Sequence, residues 1–255
     1  MSKIMVVANQ KGGVGKTTTT INLAAALANH GKKILVIDMD PQGNATSGFG
    51  VDKYAQENTA YELLIGHCDL DDCLLKNVFE GLDLIPSNIN LAAAETELVD
   101  LEDKEFILDG FVQKIRDQYD YILIDCPPSL NLLTINAMCA GEKVLIPIQC
   151  EYYALEGLAQ LLQTTSLVAE LMNNNLDIDG IVFTMYDGRT NLAFQVVQNV
   201  KEQIDVYTYE SMIPRNVRLA EAPSYGMPII AYDPKSSGAE SYMSLAEEFL
   251  KRNDS

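Results

Sequence analysis

The chain has no tryptophan and only two histidines, His30 and His67, both near the ends of predicted segments. That scarcity sets aside a histidine-based nucleophile and a histidine-ligated zinc site. The five cysteines (Cys68, Cys73, Cys126, Cys139, Cys150) form an odd set without a C-x-x-C pair, so they read as reduced thiols filling small core positions. No apolar run approaches the ~18 residues a membrane span requires. The first such run, Ile4 to Ala8, is too short for a signal-peptide core and leads into Asn9-Gln10-Lys11 with no small-residue cleavage site. The expected location is the cytoplasm. No period of about 20 to 50 residues repeats, which excludes a solenoid.

Positive charge is scarce as well. Eighteen Lys and Arg stand against 36 Asp and Glu, for a net charge of -18, and a field of that sign repels nucleic acid and anionic lipid at long range. The deficit is uneven. Residues 185–235 hold five basic groups (Arg189, Lys201, Arg215, Arg218, Lys235) and six acidic ones, a net of -1, so the other 204 residues carry -17. One face is thereby free to be locally basic. The segment from Glu95 to Glu105, with six carboxylates and one lysine, reads as a solvated helix end and loop.

What is present points to a globular α/β protein. Of 255 residues, 47% are hydrophobic and 21% charged, and no linker-like stretch interrupts them, so one domain over residues 1–255 is expected. Short apolar, β-branched runs at 3–9, 34–37, 82–85, 121–124, 144–148 and 178–183 predict strands buried on both faces. Helical patterns begin at Thr17, with Gly31 placed as a C-terminal cap, and recur at about 104–118, 130–139, 153–173, 190–203 and 237–251. Strands alternating with helices predict a mostly parallel twisted sheet with helices on both faces.

Between the first strand and the first helix lies Lys11-Gly12-Gly13-Val14-Gly15-Lys16-Thr17-Thr18. Glycines let successive N–H groups converge on one anion, and the helix that follows adds the positive end of its dipole. Lys16 is placed to reach the β- and γ-phosphates of a nucleoside triphosphate, and the Thr17 hydroxyl to ligate Mg²⁺. The second strand ends in Asp38-Met39-Asp40, two carboxylates on one strand face at the edge where parallel sheets bind ligands. Asp40 is the candidate to orient or deprotonate an attacking water and Asp38 the nearer to the metal, with a capping Asp as the plainer reading. Tyr121-Ile-Leu-Ile-Asp125 has the form of a strand whose terminal carboxylate holds Mg²⁺. Cys126 beside it reads as a small core residue.

The ordinary loop motif has a glycine where this chain has Gln10, and the extra Lys11 stands inside the loop. In this the sequence resembles the deviant Walker A group of P-loop ATPases, K-G-G-x-G-K-[ST], which includes the ParA, MinD and nitrogenase iron protein families. The likeness to ParA, and to its short chromosomal Soj type, covers nearly the whole chain. It includes the D-x-P-P-S pattern at Asp125–Ser129 and two blocks, Thr184-Met-Tyr-Asp-Gly-Arg189-Thr-Asn191 and Ile213-Pro-Arg215-Asn-Val-Arg218-Leu-Ala-Glu221. No helix-turn-helix extension precedes the loop.

The resemblance implies an Mg²⁺-dependent ATPase that sandwiches two ATP molecules in a homodimer, with Lys11 crossing to the partner's nucleotide and Asp40 as the hydrolytic residue. Pro214 and Asn216 would wall the adenine. Arg189 and Arg218 would contact non-specific double-stranded DNA on the nucleoid, although Asp187 and Glu221 lie close enough in sequence to pair with them. A ParB-like protein with a basic N-terminal segment would stimulate hydrolysis and release the DNA, separating chromosomes or plasmids. Related ATPases that position a protein cargo share these motifs. A MinD-like membrane ATPase would carry a basic amphipathic C-terminal helix, and the ending Ala-Glu-Glu-Phe-Leu-Lys-Arg-Asn-Asp-Ser is short and not cationic. No cysteine fits the iron protein's cluster positions. Met185, Tyr186, Tyr152 and Tyr153 are expected to pack rather than stack on bases.

Overall fold

The structure is a computed structural model describing residues 2–151 and 154–254. Tyr152 and Tyr153 lie outside the described residues. The strands are β1 (Lys3–Val7), β2 (Ile34–Asp38), β3 (Leu75–Phe79), β4 (Leu82–Ile85), β5 (Tyr121–Asp125), β6 (Lys143–Gln149) and β7 (Asp177–Thr184). They form one sheet in the order β3-β4-β2-β5-β1-β6-β7. Every neighbouring pair is parallel except β3 and β4.

In the central strands successive side chains enter opposite layers. Ile4 and Val6 face one apolar core with Leu35 and Ile37. Met5 and Val7 face the other with Ile34 and Val36. Both faces are covered, which is why these segments read as unbroken apolar runs rather than as alternation.

Helices cover the two faces: α1 (Lys16–Asn29), α2 (Asn44–Gly48), α3 (Ala60–Leu64), α4 (Leu70–Cys73), α5 (Leu91–Glu97), α6 (Ile107–Ile115), α7 (Leu132–Ala140), α8 (Ala154–Leu171), α9 (Asn191–Gln203), α10 (Val217–Glu221), α11 (Ile229–Tyr232) and α12 (Ser237–Asn253). Gly31, at φ +79°, follows the end of α1 as expected. α12 lies along α1 and buries Tyr242, Leu245, Ala246 and Phe249 in the second core.

Three features depart from the sequence reading. Strand β3 was not predicted, because Lys76 and Asn77 break its apolar pattern; it is an exposed edge from which the chain turns back through Gly81, at φ +77°, into antiparallel β4. The helix expected over 104–118 is divided into a 3-10 turn (Lys104–Phe106), α6 and a second 3-10 turn (Arg116–Gln118). Asn136 of α7 inserts at the first junction, donating to the Lys104 carbonyl (2.8 Å) and accepting from the Leu108 N–H (3.2 Å). The short helices α2 to α5 carry too few turns for a periodic signal.

Within the acidic segment, Glu95 accepts from Asn131, and Glu97 accepts from the Tyr61 hydroxyl at 2.8 Å. One close approach joins distant parts of the chain. Gly50, just past α2, and Gly226, which ends the 3-10 turn Ala222–Tyr225, both have positive φ, and a Cβ built on Gly226 would lie 2.4 Å from the Gly50 Cα.

Candidate functional site

The sheet order sets β2, β5 and β1 side by side, and the register pairs Asp125 with both Val7 and Asp38. The glycine-rich loop after β1 and the carboxylates ending β2 and β5 therefore share one edge, the carboxyl end of the parallel strands. Within the loop, Gly13 (φ +74°) and Gly15 (φ +88°) take the left-handed conformation that side chains oppose. Gly15 is the N-cap of α1 and brings no side-chain cap, so the first N–H groups of the helix are left for an anion. Side chains outside the loop hold its shape. Asn9 accepts from the Lys11 N–H (3.0 Å) and donates to the Pro147 carbonyl (2.8 Å), and the Thr184 hydroxyl donates to the Val14 carbonyl (2.7 Å).

Lys16 is buried, and its ammonium donates back to the Lys11 carbonyl at 3.1 Å. Burial lowers its pKa, opposed mainly by the charge of Asp125 and less by Cys126 and Asp40. The four threonines that open α1 serve three surroundings, Thr17 and Thr20 falling on one face as a helix of 3.6 residues per turn dictates. Thr17 donates to Asp125 Oδ2 (2.8 Å), Thr20 donates to Asp125 Oδ1 (2.9 Å), Thr19 meets the Tyr242 hydroxyl (3.2 Å), and Thr18 lines the clefts described below.

Asp38 and Asp125 are both fully buried. Desolvation raises the pKa of each, and the two charges oppose one another, while the Thr17 and Thr20 hydroxyls hold Asp125 back. The Asp38 carboxylate is already engaged: Oδ2 accepts from the Thr46 N–H (2.8 Å) and hydroxyl (2.7 Å), and Oδ1 from the Asp40 N–H (3.2 Å). It thereby anchors α2. The Thr46 hydroxyl in turn accepts from the Ser87 N–H (2.8 Å), and Ser87 donates to the Asp40 carbonyl (2.8 Å). Asp40 turns toward the loop and lines the same cleft.

That cleft has a volume of about 590 Å³ and is bounded by Gly12, Gly13, Lys16, Thr17, Asp40 and Pro128 among others. A second cleft of about 240 Å³, more apolar, opens beside it. Gly15, Thr18 and Met185 line both. Pro214 and Asn216 line the second, with Ile213, Leu219 and Tyr242. The Asn216 amide is committed to the N-cap of α10, accepting from the Arg218 N–H (2.7 Å), and donates to the Ser237 hydroxyl (2.7 Å). Its side chain is thus spent on positioning the wall. Tyr186 packs half-buried against the first core, as expected, and Met185 sits at the junction of the clefts at φ +49°.

Three cations expected to act outside the subunit lie away from the cleft floor. The Lys11 ammonium pairs with Glu151 at 2.7 Å, both half-exposed. Arg189 makes a two-point contact with Asp187 (2.8 and 2.7 Å), which holds that carboxyl at about 2. Arg218 pairs with Glu221 (2.9 Å) and Asp233 (3.5 Å). The pairings with Asp187 and Glu221 that sequence proximity allowed are therefore formed. Sequence reading passed over Asn9, Thr20, Thr46, Ser87 and Thr184, which shape the site through other residues. Only Thr20 left a signal, one helical turn beyond Lys16.

A glycine-rich loop leading into an uncapped helix, a buried lysine, and a hydroxyl and carboxylate meeting beneath them make this a P-loop nucleotide-binding fold. The donor set of hydroxyl and carboxylate oxygens fits a hard divalent cation beside a polyphosphate. Residues 2–178 match the model of the AAA domain family. The chain is 54% identical over 248 residues to the sporulation initiation inhibitor protein Soj of Bacillus subtilis, covering 97% of this chain and 98% of that one. It is 49% identical over 253 residues to the chromosome-partitioning ATPase Soj of Treponema pallidum, covering 99% of each. Its fold matches cobyrinic acid a,c-diamide synthase from Mycobacterium smegmatis, crystallised with ADP and magnesium, at a TM-score of 0.89 and 35% identity over 100% of this chain and 96% of that one. The chain belongs to the Soj/ParA family of chromosome-partitioning ATPases.

Proposed function

We propose that this protein is an ATP-driven partitioning switch that binds non-specific double-stranded DNA as an ATP-bound homodimer and leaves it when a partner stimulates hydrolysis. The observation that carries the ATP half is the pair of adjoining clefts: a polar one under the glycine loop and an apolar one walled by Pro214, sharing Gly15, Thr18 and Met185. One suits a triphosphate and the other a base.

ATP and Mg²⁺ are the cofactors, as the ADP, ATP analogue and magnesium in the M. smegmatis structures support. The N–H groups of Gly12 to Thr18 and the Lys16 ammonium would hold the phosphates, and Thr17 with Asp125 would hold the metal, Asp38 standing behind them. Mg²⁺ supplies charge neutralisation to the transferring phosphoryl group. Asp40, at the cleft wall, would orient the attacking water. Lys11 would leave Glu151 and reach across to the partner subunit's nucleotide, a cation in the position of an arginine finger, worth roughly 10³ to 10⁵ in rate in other systems.

Arg189 and Arg218 would exchange their carboxylate partners for DNA phosphates. Exposed ion pairs are worth about 0 to 1 kcal/mol, so the exchange costs little. Dimerisation brings two such surfaces to one duplex, which ties DNA affinity to ATP. The stimulating partner fits a ParB-like protein with a basic N-terminal segment, to which a chain of charge -18 is attractive. Nucleoid association would follow. A membrane-bound reading has less support, since the apolar face of the C-terminal helix α12 is packed on the core.

The test is ATPase activity and DNA retention of the purified chain, with and without a basic partner peptide. Retention that needs ATP, and turnover that rises with peptide, is the expected result. DNA retention indifferent to nucleotide would overturn it.

A further inference from the structure

The charges around the two arginine blocks do not balance in the same way. Arg218 faces two carboxylates, Glu221 and Asp233, a local charge of -1. Arg189 faces one, Asp187, which also lies within the field of Arg215. Asp187 is thus paired with one guanidinium and lies in the field of a second that it does not pair with.

Arg215 is exposed, and among the described residues no acid pairs with it. Its place is set by backbone hydrogen bonds. The Arg215 N–H donates to the Tyr186 carbonyl (3.2 Å), the Tyr186 N–H donates to the Ile213 carbonyl (2.9 Å), and Tyr186 bridges Pro214. These bonds fix residue 215 against the turn that carries Asp187 and Arg189. A cation whose backbone is held and whose side chain is not already paired can meet a phosphate without an ion pair to break.

We infer that Arg215 is a third DNA-phosphate ligand of this protein, acting with Arg189 on one strip of surface and contributing more than Arg218. The inference rests on the DNA reading above. A nucleic acid phosphate is preferred over the bound nucleotide because the side chain is exposed and its backbone is held against the turn that carries Asp187 and Arg189. Arg215 also rims the base cleft beside Pro214 and Asn216, so the experiment must separate the two.

Binding of random-sequence double-stranded DNA is measured across a salt series with saturating, slowly hydrolysed ATP analogue, for the full chain and for Arg215→Ala, Arg215→Lys and Arg218→Ala. Affinity for a fluorescent ATP analogue is measured in parallel. Because each subunit of the Arg215→Ala dimer lacks one phosphate ligand, that variant should bind DNA about tenfold more weakly near 0.1 M salt. Its slope of log K against log salt should flatten by about 0.9 for each phosphate no longer neutralised. Arg215→Lys should keep the slope, and Arg218→Ala should weaken binding less. Unchanged DNA binding by Arg215→Ala, while the unmodified chain is retained, would overturn the inference alone. So would a weakening that excess nucleotide restores, which would assign Arg215 to the base cleft. An unmodified chain that fails to bind DNA would overturn the DNA reading and this inference with it.

Discussion

Thr46 gives the sharpest test of how the site is held together. It is fully buried, and its hydroxyl makes two bonds at once, donating to the Asp38 carboxylate (2.7 Å) and accepting from the Ser87 N–H (2.8 Å). Thr46→Val keeps the shape and removes both. Losing a hydrogen bond to a charged group costs about 1.5–3 kcal/mol, and leaving the buried Ser87 N–H unpaired costs about 1–3 kcal/mol. The added methyl returns less than about 1 kcal/mol. The net loss is about 2–5 kcal/mol, which for a chain of this size lowers the melting temperature by about 4–20 °C. Thr46→Ser is the control, since it keeps the hydroxyl and gives up only a methyl, at about 1 kcal/mol. Thermal unfolding of the ligand-free proteins, cross-checked by urea midpoints, reads the difference. A Val variant that melts within about 2 °C of the unmodified chain, or a Ser variant as unstable as the Val one, would refute the claim that this hydroxyl holds Asp38 and the 87 loop together.

Lys16→Ala should abolish ATP binding, since it removes a buried cation at the cleft; titration calorimetry with Mg²⁺ present checks this, and tight binding would unseat the loop assignment. Asp40→Ala should still bind ATP and accumulate as a dimer on DNA, with peptide-stimulated turnover reduced at least a hundredfold; turnover at the unmodified rate would remove Asp40 from the reaction. Gly12→Val probes the two-subunit arrangement. A Cβ there would touch only Pro128, at an ordinary 3.7 Å, so ATP should bind within a few-fold of normal while light scattering shows a monomer. Finally, the raised pKa of Asp125, to about 8 by burial and then by Asp38, fixes a sign. A folded pKa above the unfolded one gives stability that is complete below about 4 and lost as pH rises through about 8. The ligand-free protein should therefore melt higher at pH 6 than at pH 8, and Asp125→Asn should flatten that dependence; an equal slope in both proteins would count against it.

The parts of the molecule that were legible in the sequence are those where one residue type has few structural uses. Glycines at positions 12, 13 and 15 before Lys16-Thr17 mark the loop, and doubly buried strands such as Ile34 to Ile37 leave a run of apolar residues with no other explanation. Legibility failed where the chain depends on side chains reaching across long separations. Thr184 supports the loop from 170 positions away, and although it opens one of the two blocks that carry the resemblance, nothing there says which backbone group its hydroxyl meets. Asn216 was expected to help wall the adenine; it lines the second cleft, and its amide also caps the first turn of α10, a link that its sequence neighbourhood did not mark. The edge strand β3 escaped because a strand with one solvent-facing margin tolerates Lys76 and Asn77, which disguise it as a loop.

The meeting of Gly50 and Gly226 has a mechanical meaning. Asp38 grips α2 through Thr46, α2 runs to Gly48, and two residues later the backbone lies directly against the turn that follows α10 and Arg218. No side chain intervenes at that point, so there is nothing soft to take up a displacement. The β2 end and the arginine segment are therefore joined by a direct backbone contact, through α2 on one side and the turn Ala222–Tyr225 on the other. Replacing either glycine by a larger residue would insert a spacer at that contact and displace the segment that carries Arg218, without altering a residue of the nucleotide clefts.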